Sequence, residues 1–86
     1  MEAPWLDGNG MAGLLAEVFG ADVTAVVRTC GSCGNAAPVG AHRAYRGASV
    51  VLRCPACEDV AIRIVQLPDR TVLDIRGAWV VELPRG

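Results

Sequence analysis

Two pairs of cysteines constrain this chain more than any other feature of its sequence. They are Cys30-Gly-Ser-Cys33 and Cys54-Pro-Ala-Cys57, and twenty residues separate Cys33 from Cys54. A Cys-x-x-Cys turn brings two sulfurs within reach of one ion, and two such turns complete a tetrahedron of thiolates. Pairs with a spacer of about 15–20 residues are typical of zinc sites. The sequence therefore predicts one structural Zn²⁺ bound by Cys30, Cys33, Cys54 and Cys57.

Three other uses of these cysteines stay open: two disulfides, a rubredoxin-like iron site, and a redox thiol pair. The sequence argues against the redox thiol pair, because Cys30-Gly-Ser-Cys33 lacks the βαβ setting of thioredoxin-like motifs. The N-terminus has no basic segment of the kind that begins a secretion signal, and no run approaches the ~20 apolar residues of a membrane span. We therefore expect a cytoplasmic protein, where paired cysteines bind metal more often than they form disulfides.

The residues after each pair differ. Gly34 follows the first pair and suits a tight turn with positive φ. Glu58 follows the second pair, at a position where glycine would be easier, so the sequence predicts a slightly strained second turn.

The size and the net charge of the chain limit the classes of fold and function that it can have. A chain of 86 residues fits one domain, and its core alone gives marginal stability. Zinc binding contributes about 10–16 kcal/mol to folding at neutral pH, so we expect metal removal to unfold the metal-binding region. The formal net charge is −1. Four thiolates and one Zn²⁺ would bring it to about −3, whereas nucleic-acid modules are usually strongly basic.

The pattern of apolar residues predicts a small β-rich, metal-stabilised fold with one N-terminal α-helix. Residues 1–8 are expected to form a flexible tail, and residues 9–86 a single domain. The helix is expected at about 9–19, capped by Asp7 or Asn9 and ended by Gly20. Strands are expected within about 23–67 and again within about 71–83. The last three strand segments resemble an antiparallel meander.

Two groups of residues outside the cysteines could bind partners. The first is an apolar helix face with an aromatic residue near the C-terminus: Met11, Leu14, Leu15, Val18, Phe19 and Trp79. This face either packs on the chain's own sheet or binds a partner or a second copy. The second group, Arg43, Tyr45 and Arg46, either contacts an anion such as phosphate or belongs to a polar hairpin.

The two cysteine turns with strands running into them resemble a zinc ribbon, over about residues 23–67. The opening Asp7-Gly-Asn-Gly-Met-Ala-Gly-Leu-Leu-Ala-Glu-Val-Phe-Gly-Ala-Asp-Val-Thr24, followed by both turns, resembles a family of small, uncharacterised actinobacterial zinc-ribbon proteins. This resemblance covers nearly the whole chain. It implies a zinc ribbon extended by extra antiparallel strands, but no activity, and it points weakly to oxidoreductase partners.

The expected function is therefore a non-enzymatic, zinc-stabilised protein–protein interaction module or accessory subunit, for example of a redox enzyme system. No pair of carboxylates suggests acid–base catalysis, and all eight basic residues are arginine, which excludes a Schiff-base lysine. Two alternatives remain: a nucleic-acid-binding zinc ribbon related to transcription, and a redox thiol or rubredoxin-like iron protein.

Overall fold

A computed structural model describes residues 6–82 of the chain. Its elements, in chain order, are β1 (Leu6–Asp7), a 3-10 helix (Gly8–Met11), α1 (Ala12–Phe19), β2 (Val27–Thr29), β3 (Ala36–Pro38), a second 3-10 helix (Val39–Ala41), β4 (Arg43–Arg46), β5 (Val50–Arg53), β6 (Val60–Gln66), β7 (Thr71–Ile75) and β8 (Ala78–Trp79). The fold is small, β-rich and has one short α-helix. No helix within the described range is long and apolar enough to cross a membrane.

The strands form two antiparallel sheets. The larger has the order β1-β4-β5-β6-β7, and the smaller has the order β3-β2-β8. The two cysteine turns lie in different sheets, because the first joins β2 to β3 and the second joins β5 to β6. A metal bound by all four cysteines would therefore join the two sheets.

The C-terminal strands differ from the predicted meander. β6 and β7 pair as expected, with Arg63 opposite Asp74. β8 instead pairs with β2 in the other sheet, where Trp79 lies opposite Arg28. The chain turns between β7 and β8 at Gly77, whose φ of 83° favours glycine.

The N-terminal segment also differs from its predicted boundaries. Within the expected tail of residues 1–8, Leu6 and Asp7 pair with β4, and the buried Gly8 begins a 3-10 helix; residues 1–5 lie outside the described range. The Asp7 carboxylate accepts the Gly10 N–H at 3.0 Å, so Asp7, one of the two predicted caps, caps the 3-10 helix. The α-helix itself follows Met11 without a side-chain cap. Regular α-helix runs from Ala12 to Phe19, and Gly20 caps it with a left-handed φ of 75°.

The first predicted strand, from about residue 23, begins only at Val27. The Asp22 carboxylate accepts both the backbone N–H and the hydroxyl of Thr24, at 3.0 and 2.7 Å. This local turn competes with extended pairing and delays the strand. The predicted end of the last strand at residue 83 lies beyond the described residues.

The hydrophobic core lies between α1 and the larger sheet. Its buried members are Met11, Leu15, Val23, Val39, Ala44, Leu52, Ala61, Ile62 and Ile64. Leu14, Val18, Phe19 and Trp79 are partly buried against this core, and the rings of Phe19 and Trp79 stack with centroids 6.1 Å apart. The apolar helix face therefore packs on its own sheets. It is not available to a partner through Met11 and Leu15, since both side chains are buried.

Candidate metal centre

The first cysteine turn, residues 30–35, is held by its own backbone. The Cys30 N–H donates to the Asn35 carbonyl at 2.9 Å, and the Gly34 N–H donates to the Cys30 carbonyl at 3.0 Å. Gly34 adopts a φ of 77°, as the sequence predicts. The Ser32 N–H also points at the Cys30 sulfur, at 3.4 Å. Such a contact stabilises the thiolate that a metal requires.

The second turn, residues 54–59, repeats this geometry. The Cys54 N–H donates to the Asp59 carbonyl at 2.8 Å, and the Glu58 N–H donates to the Cys54 carbonyl at 2.9 Å. The Ala56 N–H lies 3.4 Å from the Cys54 sulfur. Glu58 has a φ of 65°, so the expected strain is present at a residue other than glycine.

The two turns bring the four sulfurs together. All four lie within 4.8 Å of one another, and none is in a disulfide. Two contacts that join the turns, Cys30 Sγ to Cys57 Sγ and Cys33 Sγ to Cys54 Sγ, measure 3.7 Å each. A regular tetrahedron with metal–sulfur bonds of ~2.3 Å has edges of about 3.8 Å. The cluster therefore fits a single four-coordinate metal ion.

The whole chain, residues 1–86, matches a family described only as one of unknown function, DUF6510. The chain belongs to that family. No curated protein and no solved structure matches it. The expectation of a family without known function is confirmed, whereas its zinc-ribbon class and actinobacterial source stay predictions. Since the DUF6510 description names no activity, the function has to be argued from the site itself.

The four cysteines of the DUF6510 chain are not equivalent. Cys30 and Cys54 are buried, whereas Cys33 and Cys57 are exposed. The backbone N–H groups of Cys33 and Ser32 lower the pKa of Cys30 to about 6. For Cys57, the Asp59 N–H lowers the pKa, but partial desolvation and the three neighbouring sulfurs outweigh it and raise the pKa to about 12. Without metal Cys57 therefore retains its proton at neutral pH, and metal binding would release it.

Hydrogen bonds tie the second turn to its surroundings. The Ser32 hydroxyl, in the first turn, donates to the Asp59 carboxylate. The Glu58 carboxylate accepts from Arg43 Nη1 at 2.7 Å and from the Tyr45 hydroxyl at 3.1 Å. Two of the three predicted anion contacts, Arg43 and Tyr45, therefore bind an anion of the same chain. The third, Arg46, is exposed at the end of β4.

A buried Arg–His pair beside the first turn was not predicted from the sequence. Arg28 is 1% exposed, and its Nε donates to the Arg76 carbonyl at 2.9 Å. Its Nη2 reaches the Val60 carbonyl and its Nη1 the His42 Nε2, both at 3.5 Å. His42 Nδ1 lies 2.9 Å from the Pro38 carbonyl, which can only accept, so Nδ1 carries the proton and Nε2 accepts.

Arg28 connects the two sheets close to the cysteine cluster, because it lies on β2 and reaches the carbonyl of Val60, the first residue of β6. The sequence gives little indication that Arg28 is buried. The β-branched neighbours Val27 and Thr29 would be expected to point inward, which would place Arg28 outside. Valine is expected inside and arginine outside, whereas here Val27 is exposed and Arg28 is buried.

Proposed function

We propose that this protein is a zinc-stabilised, non-enzymatic domain that acts by binding another protein. The observation that supports the zinc assignment is the clustering of four cysteine sulfurs within 4.8 Å of one another. Four thiolates close the coordination shell and leave no position for substrate, which is the form of a structural zinc site. Iron–sulfur chemistry uses the same ligands, so metal analysis and a visible spectrum of the purified protein test this part.

The surface proposed to bind the partner is the outer face of the smaller sheet. We call this surface the β2 face, and its members are Val27, Thr29, Ala36, Pro38, Ala78 and Val80. Pro38 lies opposite Val27 in the sheet register. Continuing the β2–β8 register by one residue brings Val80 opposite Val27 on the other side.

The β2 face is exposed and carries no charged side chain. Val27 is 53% exposed and Val80 is 79% exposed. The outer face of the larger sheet, by contrast, carries Arg63 opposite Asp74. Because interface centres are depleted in charged residues, the β2 face is the surface that best suits an apolar patch on a partner protein.

A matched pair of substitutions tests the β2 face. Val80→Asp adds a charge to this face, and Val72→Asp adds the same charge to an exposed valine of β7 in the other sheet. We expect the metal-loaded wild-type protein and the Val72→Asp variant to bind the same partner in affinity capture from the native host. The Val80→Asp variant should lose that partner while retaining its metal.

Two results would refute the proposal. One is partner binding that Val80→Asp and Val72→Asp leave equally intact. The other is binding of DNA or RNA that weakens steeply with salt and does not depend on Val80, because that dependence indicates phosphate contacts. The helix face offers no comparable test, since a charge at the buried Leu15 would disrupt the core.

A further inference from the structure

We propose that Glu58 is a positioning residue that fastens the second cysteine turn to β4 and thereby slows release of the metal. This inference rests on the proposed metal centre and is independent of the proposed partner. It begins from an unusual backbone conformation, since a residue other than glycine persists at positive φ only where its surroundings favour it.

Gly34 and Glu58 occupy the same position in the two turns. Each follows the second cysteine of its pair, and each N–H donates to the carbonyl of the first cysteine, at 3.0 and 2.9 Å. Their φ angles are 77° and 65°. Glycine would therefore satisfy the turn geometry at both positions, so the turn itself does not require the side chain of Glu58.

Contacts from two strands hold Glu58 in place. Arg43 and Tyr45 alternate along β4, so their side chains lie on one face of the strand, and both donate to the same carboxylate oxygen, Oε1. From β5, Arg53 Nη1 donates to the Glu58 carbonyl at 3.0 Å, and its guanidinium lies 5.7 Å from the centre of the Tyr45 ring. Both the side chain and the backbone of Glu58 are held.

These contacts bear on the metal through Cys57. Cys57 is exposed, and it directly precedes Glu58. For Cys57 to leave a bound ion, the second turn has to open, and opening moves Glu58 away from Arg43 and Tyr45. The hydrogen bonds from Arg43 and Tyr45 to Glu58 therefore oppose the motion that begins metal release.

The test is a double-mutant cycle on metal release. Zinc-loaded and cobalt-loaded proteins are mixed with excess EDTA, and the release rate is measured for wild type, Tyr45→Phe, Glu58→Ala and the double variant. Tyr45→Phe removes only the hydroxyl, so the chain should fold even if Glu58→Ala does not. Arg70→Gln is the control, because it breaks an exposed ion pair with Asp69 in the β6–β7 turn.

We expect Glu58→Ala to release metal about two- to five-fold faster, the range that an exposed ion pair gives. Tyr45→Phe should act in the same direction, and the double variant should match Glu58→Ala, because the hydroxyl has no carboxylate to bind. The cobalt–thiolate spectrum and the thermal midpoint of Tyr45→Phe should stay those of wild type, and Arg70→Gln should release at the wild-type rate. This combination separates positioning from a general loss of stability.

Wild-type release rates in both single variants would overturn the role of Glu58, as would a Tyr45→Phe effect that persists in full without Glu58. A wild-type protein that shows no tetrathiolate cobalt spectrum would instead refute the proposed metal centre, and the inference with it. The two failures are therefore distinguishable.

Discussion

Gly77 is a position at which a single added methyl group is expected to destabilise the fold. It lies in the turn between β7 and β8, with a φ of 83°. A methyl group there would meet the Thr29 carbonyl oxygen at 2.6 Å and the Arg28 guanidinium at 2.9 Å from Nη2. Gly77→Ala therefore combines an unfavourable backbone conformation with a clash against the arginine that connects the two sheets.

Gly20→Ala separates these two costs. Gly20 has a similar φ of 75°, but a methyl group there would meet nothing within 4 Å. Alanine at positive φ costs about 1–2 kcal/mol, and the stiffer unfolded chain returns about 0.4–1 kcal/mol. We therefore expect Gly20→Ala to lower the free energy of unfolding by about 1 kcal/mol.

Gly77→Ala pays the same backbone cost and also displaces Arg28 from the Arg76 carbonyl. A hydrogen bond to a charged group is worth about 1.5–3 kcal/mol, so the total loss should be about 3–4 kcal/mol. In a domain of this size each kcal/mol lowers the thermal midpoint by about 4–8 °C. The expected decrease is thus roughly 12 °C or more for Gly77→Ala, against roughly 4–8 °C for Gly20→Ala.

Thermal unfolding of the zinc-loaded variants, followed by circular dichroism, measures both values. Equal midpoints for Gly77→Ala and Gly20→Ala would refute the reasoning, because they would show that Arg28 adjusts to the methyl group without losing its contacts. Combining Gly77→Ala with Arg28→Met gives a second check. If the clash with Arg28 causes the extra loss, the two substitutions together should cost less than the sum of their separate effects.

Three further predictions concern the metal, the helix and pH. Removal of the metal with a chelator should abolish the β-sheet signal in circular dichroism, because zinc binding contributes about as much free energy as a whole domain's net stability; a persistent signal would contradict this. Leu15→Ala should lower the free energy of unfolding in urea by about 2–5 kcal/mol, since Leu15 is fully buried, and a loss under 1 kcal/mol would show that the helix is loosely packed. Burial lowers the pKa of His42, as does Arg28, although the hydrogen bond to Pro38 opposes the shift. The unfolded chain then takes up the proton first, so stability should fall as the pH drops below about 6.5, and His42→Gln should show a smaller slope in urea unfolding across this range.

The cysteine cluster could be predicted from the sequence because its geometry is local. Each Cys-x-x-Cys turn positions two sulfurs by itself, and the spacing leaves enough chain to bring the turns together. The strain at Glu58 was predictable for the same reason, since the turn has the same backbone requirement in both copies. Its contacts with Arg43 and Tyr45 were not, because they depend on the β4–β5 register rather than on the turn.

The position of β8 could not be predicted from the sequence pattern. Trp79 and its neighbours alternate in a way that any neighbouring strand could satisfy, and pairing with β7 is the shortest connection. The observed pairing with β2 joins residues about fifty positions apart and depends on the turn at Gly77 and on the buried Arg28. The burial of Arg28 could not be predicted either, because valine is the residue expected to point inward in a short β-branched segment.

The arrangement of the two sheets links the metal to the proposed binding surface. Contacts near the cysteines cross from one sheet to the other: Arg28 to the Val60 carbonyl, and Ser32 to the Asp59 carboxylate. The metal would add four bonds to this junction. The β2 face belongs to the smaller sheet, whose three strands have two or three residues each and are too short to be stable alone. Its shape therefore depends on attachment to the larger sheet. If the junction is what the metal maintains, loss of the metal should abolish partner binding to the same extent as Val80→Asp, even though Val80 contacts no cysteine.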